Sequence, residues 1–590
     1  MRRKGLSRLT NYVPSWRRVG VLSVVAAVGA AGPVIGLLLV KDAIDNGISA
    51  NNTTRLAIDV AIYLSVNAVA WTLQTYLIKG LAQLGQAIVL GLREHLFRHL
   101  TGLSLRYFSE QRAGWIIARL TSDVDAISDV LSQGMTALVS NTLTIVAAVI
   151  GLFILDWRLG LVALIILPPT LVLTRWFQVR SHAAFLEVRN TISAMTAQIA
   201  ESVAGMAVVQ AFNRERAFQR EFDDANDANR RTNTRAQFLN SLFFPGIELF
   251  GIIAISAVLV VGARLHDDGT LTVGTLLSAV FLLNLVFQPL QELSDLYGQV
   301  QSATAAMEKI TTVLDTEAEI KDKRDARKLG RVDGDIELDG VWFAYGKSPV
   351  IRGVDLHIPA GACFAMVGHT GHGKSTLAKL IGRFYDPDRG AIRVDGHDLR
   401  DVELHSYRRQ LGVVLQDPFL FAGTIADNIR FARPGATDEE VEETAAAIGV
   451  DRVARRFEDG LGHVVREGGA GLSAGERQLI SIGRALLADP RILILDEATS
   501  NIDRPTERLI EQALDRLLHG RTSLIIAHRL ATVRRADEIL VVEHGQIAQR
   551  GTERDLLAED GPFRRLAYEL KQGVEASALG VPTTTRQRPD

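Results

Sequence analysis

Cysteine is nearly absent from this chain: one residue, Cys363, in 590. That excludes an intrachain disulfide and any metal site built from several thiolates. Net charge is nearly absent too, −2 from 65 basic and 67 acidic residues, with an isoelectric point of about 6.7. So balanced a chain has no overall field to draw a polyanion, and no nucleic-acid partner is expected. Apolar residues, in contrast, make up 47%, beside 22% charged, and mean hydropathy is +0.14. At this length two to four folding units are expected. One very apolar part joined to one ordinary part accounts for the numbers.

The apolar part is the N-terminal half. Long apolar runs fall near 20–40, 57–78, 134–155, 159–177, 238–262 and 272–290. Each approaches the ~20 residues a helix needs to cross a hydrocarbon core of about 30 Å. Six such runs followed by none in the second half do not describe a soluble core. Basic residues orient them. Arg175, Arg180, Arg189, Arg214, Arg216, Arg220, Arg230, Arg231 and Arg235 crowd the fourth connection, and Arg93, Arg98, Arg106, Arg112 and Arg119 the second. The other connections, 41–56, 156–158 and 263–271, are short or poorer in positive charge. The N-terminus and the C-terminal half are therefore expected in the cytosol. The basic flank (Arg2, Arg3, Lys4, Arg8) leads into an apolar run too long for a cleaved leader, and reads as a retained cytosolic segment.

The two inner connections carry mixed apolar and charged residues at helical spacing and little turn chemistry, so they read as helices continuing out of the membrane. From Lys321 to Asp335 the sequence is dense in charge and then carries Gly330 and Gly334. This reads as a linker between a membrane domain over 1–320 and a second domain over 335–572. The tail, 573–590, has no apolar period and is expected to be disordered.

The second domain opens on a phosphate-binding pattern. Gly368-His369-Thr370-Gly371-His372-Gly373-Lys374-Ser375-Thr376 follows a strand-like run, Ala362 to Val367, and leads into a helix expected to begin near Thr376. Glycines let the backbone wrap, so that successive N–H groups, His372's included, point at phosphate oxygens. Lys374 adds a point charge and Ser375 a hydroxyl for Mg²⁺. Further on, Ile492-Leu493-Ile494-Leu495 ends in Asp496-Glu497. A continuous aliphatic run reads as a strand buried on both faces of a mainly parallel sheet. There Asp496 is placed to hold Mg²⁺ and Glu497 to polarise the attacking water.

With Leu472-Ser473-Ala474-Gly475-Glu476-Arg477-Gln478 lying between these motifs, the sequence resembles ATP-binding-cassette (ABC) transporters, specifically the exporter-type half-transporter. The resemblance implies a six-span α-helical membrane domain fused to an α/β P-loop ATPase. It places Tyr345 against adenine and makes Gln416 a Mg²⁺-sensing residue that also touches the membrane domain. By the same resemblance, His528 is the switch histidine on the γ-phosphate and Ser500-Asn501-Ile502-Asp503 is the loop after the second carboxylate. Glu467 matches an acidic position of the exporter branch. Phe108, Gly114, Arg119, Ser122, Asp123 and Val124 in one inner connection, and Val209-Gln210-Ala211-Phe212 with Glu215 in the other, also look like exporter sequence, the latter as a short coupling helix. Ala474, Glu476 and Asn501-Ile502 depart from the commonest pattern, while Ser473 and Gly475 are intact.

The resemblance implies ATP and Mg²⁺ as cofactors and a second half-transporter, identical or different, as partner. Ser473 and Gly475 of one chain would close over the γ-phosphate bound by the other, and hydrolysis would drive alternating access. The expected setting is a bacterial cell membrane, in contact with its lipid. The expected cargo is a hydrophobic or amphipathic drug, lipid or peptide. A soluble family ATPase is excluded by the six spans. A non-pumping regulatory or channel-like member is disfavoured by intact Lys374, Gln416, Glu497 and His528, and an exporter-shaped importer stays open. Among polar residues inside spans, Glu248 beside Pro245 suits either a cationic amphiphile or hydrogen bonding near a helix break.

Overall fold

The computed structural model describes residues 8–496, 503–527 and 529–568. The chain forms two units, Met1–Gly102 with Gln111–Glu317, and Leu103–Glu110 with Ala318–Asp590.

The first unit is helical. Among the described residues, six long helices are apolar enough to cross a membrane: α1 (Trp16–Ile48), α2 (Thr53–Thr101), α3 (Ala113–Leu155), α4 (Trp157–Ala204), α6 (Glu215–Asp267) and α7 (Val273–Leu314). The short α5 (Met206–Ala211) lies between α4 and α6. With 49 residues, α2 extends roughly 74 Å at 1.5 Å per residue, more than twice a hydrocarbon core of about 30 Å. The expected helical continuations are therefore present. α6 runs through Pro245, near which a helix break belongs to one of the two readings of Glu248, as α4 runs through Pro168 and Pro169. Packing of neighbouring helices and side-chain hydroxyls make intramembrane proline tolerable. Beside the proline pair, the Thr170 hydroxyl donates to the Ile166 carbonyl at 2.9 Å.

Packing between α4 and α6 is the most extensive in the unit. At its centre Phe177 stacks on Phe243, centroids 3.8 Å apart and planes at 8°, above buried Ile247, Ala254 and Val258. Trp71, Ile154, Ile165 and Val172 point outward and are exposed, which in water is unfavourable and in lipid is not. Arg119 and Asp123 are a buried ion pair; Trp115 covers the guanidinium at 4.3 Å, and Lys309 of α7 approaches Asp123 at 3.6 Å. These motif residues thus tie α3 to α7.

The second unit carries two main sheets. β1 (Ile336–Ala344), β2 (Pro349–Ile358), β4 (Arg389–Val394) and β5 (His397–Asp398) form an antiparallel sheet in the order β2-β1-β4-β5. β3 (Cys363–Val367), β6 (Leu411–Val414), β9 (Ile492–Asp496), β10 (Thr522–Ile526), β11 (Glu538–Glu543) and β12 (Gln546–Gly551) form the other, in the order β12-β11-β3-β10-β9-β6. All its pairs are parallel except β11–β12. A small hairpin pairs β7 (Gly423–Thr424) with β8 (Val464–Val465). Successive residues of the central strands enter opposite cores: Phe364, Met366, Ile492 and Ile494 enter one, Ala365, Val367, Leu493 and Leu495 the other. Burial on both faces is why these strands are apolar without alternation.

The charged stretch read as a linker is fixed along this second unit. Asp395 accepts from the backbone N–H groups of Asp333, Gly334 and Asp335 at 2.8–3.0 Å. Asp322 accepts from Leu404 N–H at 2.9 Å, Arg327 N–H donates to the Asp401 carbonyl at 2.8 Å, and Lys323 pairs with Asp401. The short helix Leu105–Glu110 belongs to this unit as well.

Candidate nucleotide site

β3 delivers the chain to the phosphate loop, and α8 (Lys374–Ile381) leaves it. The helix begins at Lys374, two residues before the expected Thr376. Two loop positions demand glycine. Gly368 has φ +148°, and a Cβ there would stand 2.3 Å from the Val542 carbonyl oxygen. Gly373 has φ +103°, with the Ile351 side chain 2.8 Å from its missing Cβ. Thr370 and Gly371 are exposed at the turn, and Ser375 is exposed on the first turn of α8.

Lys374 is buried, and its ammonium donates to the carbonyls of Gly368 and His369 at 2.6 and 2.9 Å. Burial holds its pKa below the ordinary lysine value, and the charge of Asp496 partly offsets this. Asp496 ends β9, beside β10 and two strands from β3. Gln416 is exposed two residues beyond β6, the strand that flanks β9 on its other side. The loop, Lys374, Ser375 and Asp496 thus converge at one end of the parallel strands, where open α/β sheets bind ligands. Glu497 and His528 lie outside the described residues, as do Ser500, Asn501 and Ile502.

Tyr345 follows β1 and is 40% exposed. Its hydroxyl lies 3.2 Å from that of Thr376, and its ring meets Phe343 and Tyr385 edge-on at 5.0 and 5.3 Å. Sequence reasoning missed what stands behind it. Arg106 places its guanidinium 5.8 and 5.7 Å from the Phe343 and Tyr385 ring centres and pairs with Glu319 at 2.9 Å. It also missed His544, whose ring lies 4.9 Å from that of His372, itself 5.6 Å from His369. No local pattern marks either contact, since both join distant stretches of chain.

Ser473 caps α9 (Ala474–Leu487). The Ser473 hydroxyl accepts from Glu476 N–H at 3.3 Å, and the Glu476 carboxylate accepts from Ser473 N–H at 2.8 Å, a reciprocal capping box. Glu476 also pairs with Arg456, so the acid at this position has a structural cause. Ser473 and Ala474 are exposed and Gly475 is buried. Asp503 caps α10 (Arg504–Leu518), accepting from Thr506 N–H and hydroxyl at 3.1 and 2.9 Å, and these bonds hold its carboxyl below the usual aspartate range.

Membrane helices joined in one chain to this phosphate-loop sheet define an ATP-driven membrane transporter. A family model described as the ABC transporter transmembrane region matches residues 19–290, and one described as ABC transporter matches 351–500. The ATP-dependent lipid A-core flippase of Syntrophus aciditrophicus is 35% identical over 538 residues, 90% of this chain and 88% of that one. The fatty acid ABC transporter ATP-binding/permease protein of Mycobacterium tuberculosis is 37% identical over 512 residues, 87% and 80% of the two chains. The solved structure of a bacterial Atm1-family ABC exporter with ATP bound superposes with a TM-score of 0.80 at 26% identity, covering 94% of this chain and 98% of that one. The chain belongs to the ABC transporter family. It is an exporter-type half-transporter, an integral membrane ATPase that binds ATP, couples its hydrolysis to transport and works with a second half-transporter.

Proposed function

We propose that two copies of this chain assemble head to tail and export a hydrophobic or amphipathic solute from a bacterial cell membrane by alternating access. A membrane domain over 1–320 and a cassette over 335–572, with the cassette in the cytosol, form each half. The observation that supports this reading is the presence of two complementary parts. One is a phosphate loop whose Lys374 rests on its own carbonyls at 2.6 and 2.9 Å. The other is an exposed, capped helix start at Ser473. ATP phosphates replace the carbonyls as partners of Lys374 and take N–H groups from Gly371, His372, Gly373 and Ser375. The adenine lies on Tyr345. Ser473 and Gly475 of the partner chain close over the γ-phosphate, so ATP favours the closed pair by its greater affinity for that state.

Glu497 polarises the attacking water and His528 contacts the γ-phosphate; Gln416 and Asp503 border the same site. Ser375, Gln416 and Asp496 are hard oxygen donors at one sheet end, and Ser375 and Gln416 are exposed, a set that suits Mg²⁺. Bound there, Mg²⁺ would neutralise charge on the β- and γ-phosphates. Purified alone into lipid nanodiscs, the chain should run as a dimer and hydrolyse ATP. Monomers without turnover, rescued by a different half-transporter, would instead show that the pair is mixed.

A further inference from the structure

Away from the nucleotide chemistry, α4, α6 and α7 line a cavity of about 420 Å³, within the range of small-molecule sites. It sits where three apolar runs give way to the helical continuations. Phe177 closes the run of α4, Asn240 and Phe244 lie near the start of that in α6, and Tyr297 lies just past the end of that in α7. The apolar wall includes Phe177, Phe185 and Phe244, and Phe177 is held by its stack on Phe243. The polar lining includes Gln178, Asn240 and Gln301, whose amide donates to the Tyr297 hydroxyl at 2.9 Å.

Among the described lining residues one is charged, and it is a cation. Arg189 makes no ion pair with any described residue, and no described carboxylate lines the cavity. Arg189 is exposed on the continuation of α4 beyond its apolar run, and carboxylates and phosphates match its paired donors. From this geometry we propose that the cavity binds a single-chain amphiphile with an anionic head. The alkyl chain lies against the phenylalanines and the head against Arg189, with the amides as further donors. The inference rests on the reading of this chain as a carrier of amphipathic cargo and adds the sign of the cargo's charge.

The test uses the full-length transporter in phosphatidylcholine nanodiscs without nucleotide, titrated with dodecyl phosphate or with dodecyltrimethylammonium. The phosphate should bind saturably and at least tenfold more tightly. Arg189→Gln should remove that preference, and Arg189→Lys should keep binding within about threefold, which separates lost charge from lost folding. Gly298 lines the cavity with nothing within 4 Å of where its Cβ would stand, so Gly298→Phe should fill the space and abolish saturable binding. Equal affinity for both amphiphiles, or unchanged binding in Arg189→Gln or Gly298→Phe, would overturn the proposal. Repeating the titration in phosphatidylglycerol discs identifies the source. Weaker binding there marks a resident lipid head as competitor, and equal binding marks a free amphiphile; both support an anionic ligand. Because binding is read without ATP, a chain that binds dodecyl phosphate but never hydrolyses ATP keeps this proposal and loses the transport reading. One that hydrolyses ATP yet prefers the cation does the reverse.

Discussion

Tyr345 and Tyr385 meet edge to face, ring centres 5.3 Å apart and planes at 89°. Tyr385 is buried, and its hydroxyl lies 3.4 Å from that of Ser109. The exposed ring is therefore braced by a fixed one, and the geometry separates two contributions of Tyr345. Tyr345→Ala removes a platform for a base, a contact of about 1–3 kcal/mol, and should raise the KM for ATP roughly tenfold, at about 1.4 kcal/mol per factor of ten. Tyr345→Phe loses only the hydroxyl contact with Thr376 and should stay within about threefold. Steady-state ATPase titrations of the two variants decide this.

Binding and turnover should come apart at the phosphate site. Glu497→Gln should still bind ATP while turnover falls by about 10²–10⁴, the range of a lost general base. Gly368→Ala should lose binding itself, because its methyl would stand 2.3 Å from the Val542 carbonyl oxygen at a φ of +148°. Equilibrium binding of a fluorescent ATP analogue, run beside phosphate release, reads both. Normal steady-state hydrolysis by Glu497→Gln would remove that residue from its role.

Glu476 holds the start of α9 from inside. Glu476→Gln keeps an acceptor for Ser473 N–H and loses the ion pair with Arg456, a residue 63% exposed at its side chain. The exposed Arg456 screens the pair while the Glu476 side chain is only 6% exposed, so its loss should cost about 1 kcal/mol, the upper end for screened pairs, and lower the melting temperature slightly. Glu476→Ala loses the capping bond too and should cost a further ~1 kcal/mol. Thermal unfolding in nanodiscs distinguishes the two.

The single cysteine is a pH-dependent reporter. Burial, and then the nearby charge of Asp537, push the Cys363 thiol from 9.0 to about 12. At pH 8 only about one thiol in 10⁴ is then ionised, and the thiolate is the reactive form. Maleimide should label the native chain very slowly at that pH and the denatured chain rapidly. The sign for stability follows. A raised folded pKa contributes stability that is complete below pH 9 and is lost as pH climbs toward 12, so alkaline conditions in that window should lower the denaturation midpoint. Rapid native labelling at pH 8 would refute the shift.

The spans were legible because crossing a membrane imposes a length and a polarity that survive without any tertiary knowledge. The phosphate loop was legible because its chemistry is local: Gly368 to Ser375 are consecutive. Long-range pairings were not. Nothing near Glu476 in sequence announces Arg456, and nothing near Tyr345 announces Arg106 or Tyr385. Composition at 321–335 reads as a linker, and it carries no sign that the carboxylates of Asp322 and Asp395 serve backbone N–H groups along it. Pro245 does not end α6, since neighbouring helices and side-chain hydroxyls can satisfy the carbonyl that a proline leaves unpaired in a span.

The continuity of the long helices has a mechanical consequence. A rod of 49 residues without a joint transmits rotation rather than absorbing it. With about 40 Å standing outside the hydrocarbon, a tilt of roughly 10° at the membrane sweeps the far tip through about 7 Å. Read in reverse, a displacement of a few ångströms at the tip becomes a small angular change among the spans, with mechanical advantage traded for reach. Inserting a flexible glycine pair midway along the protruding part would leave each end folded and disconnect the lever.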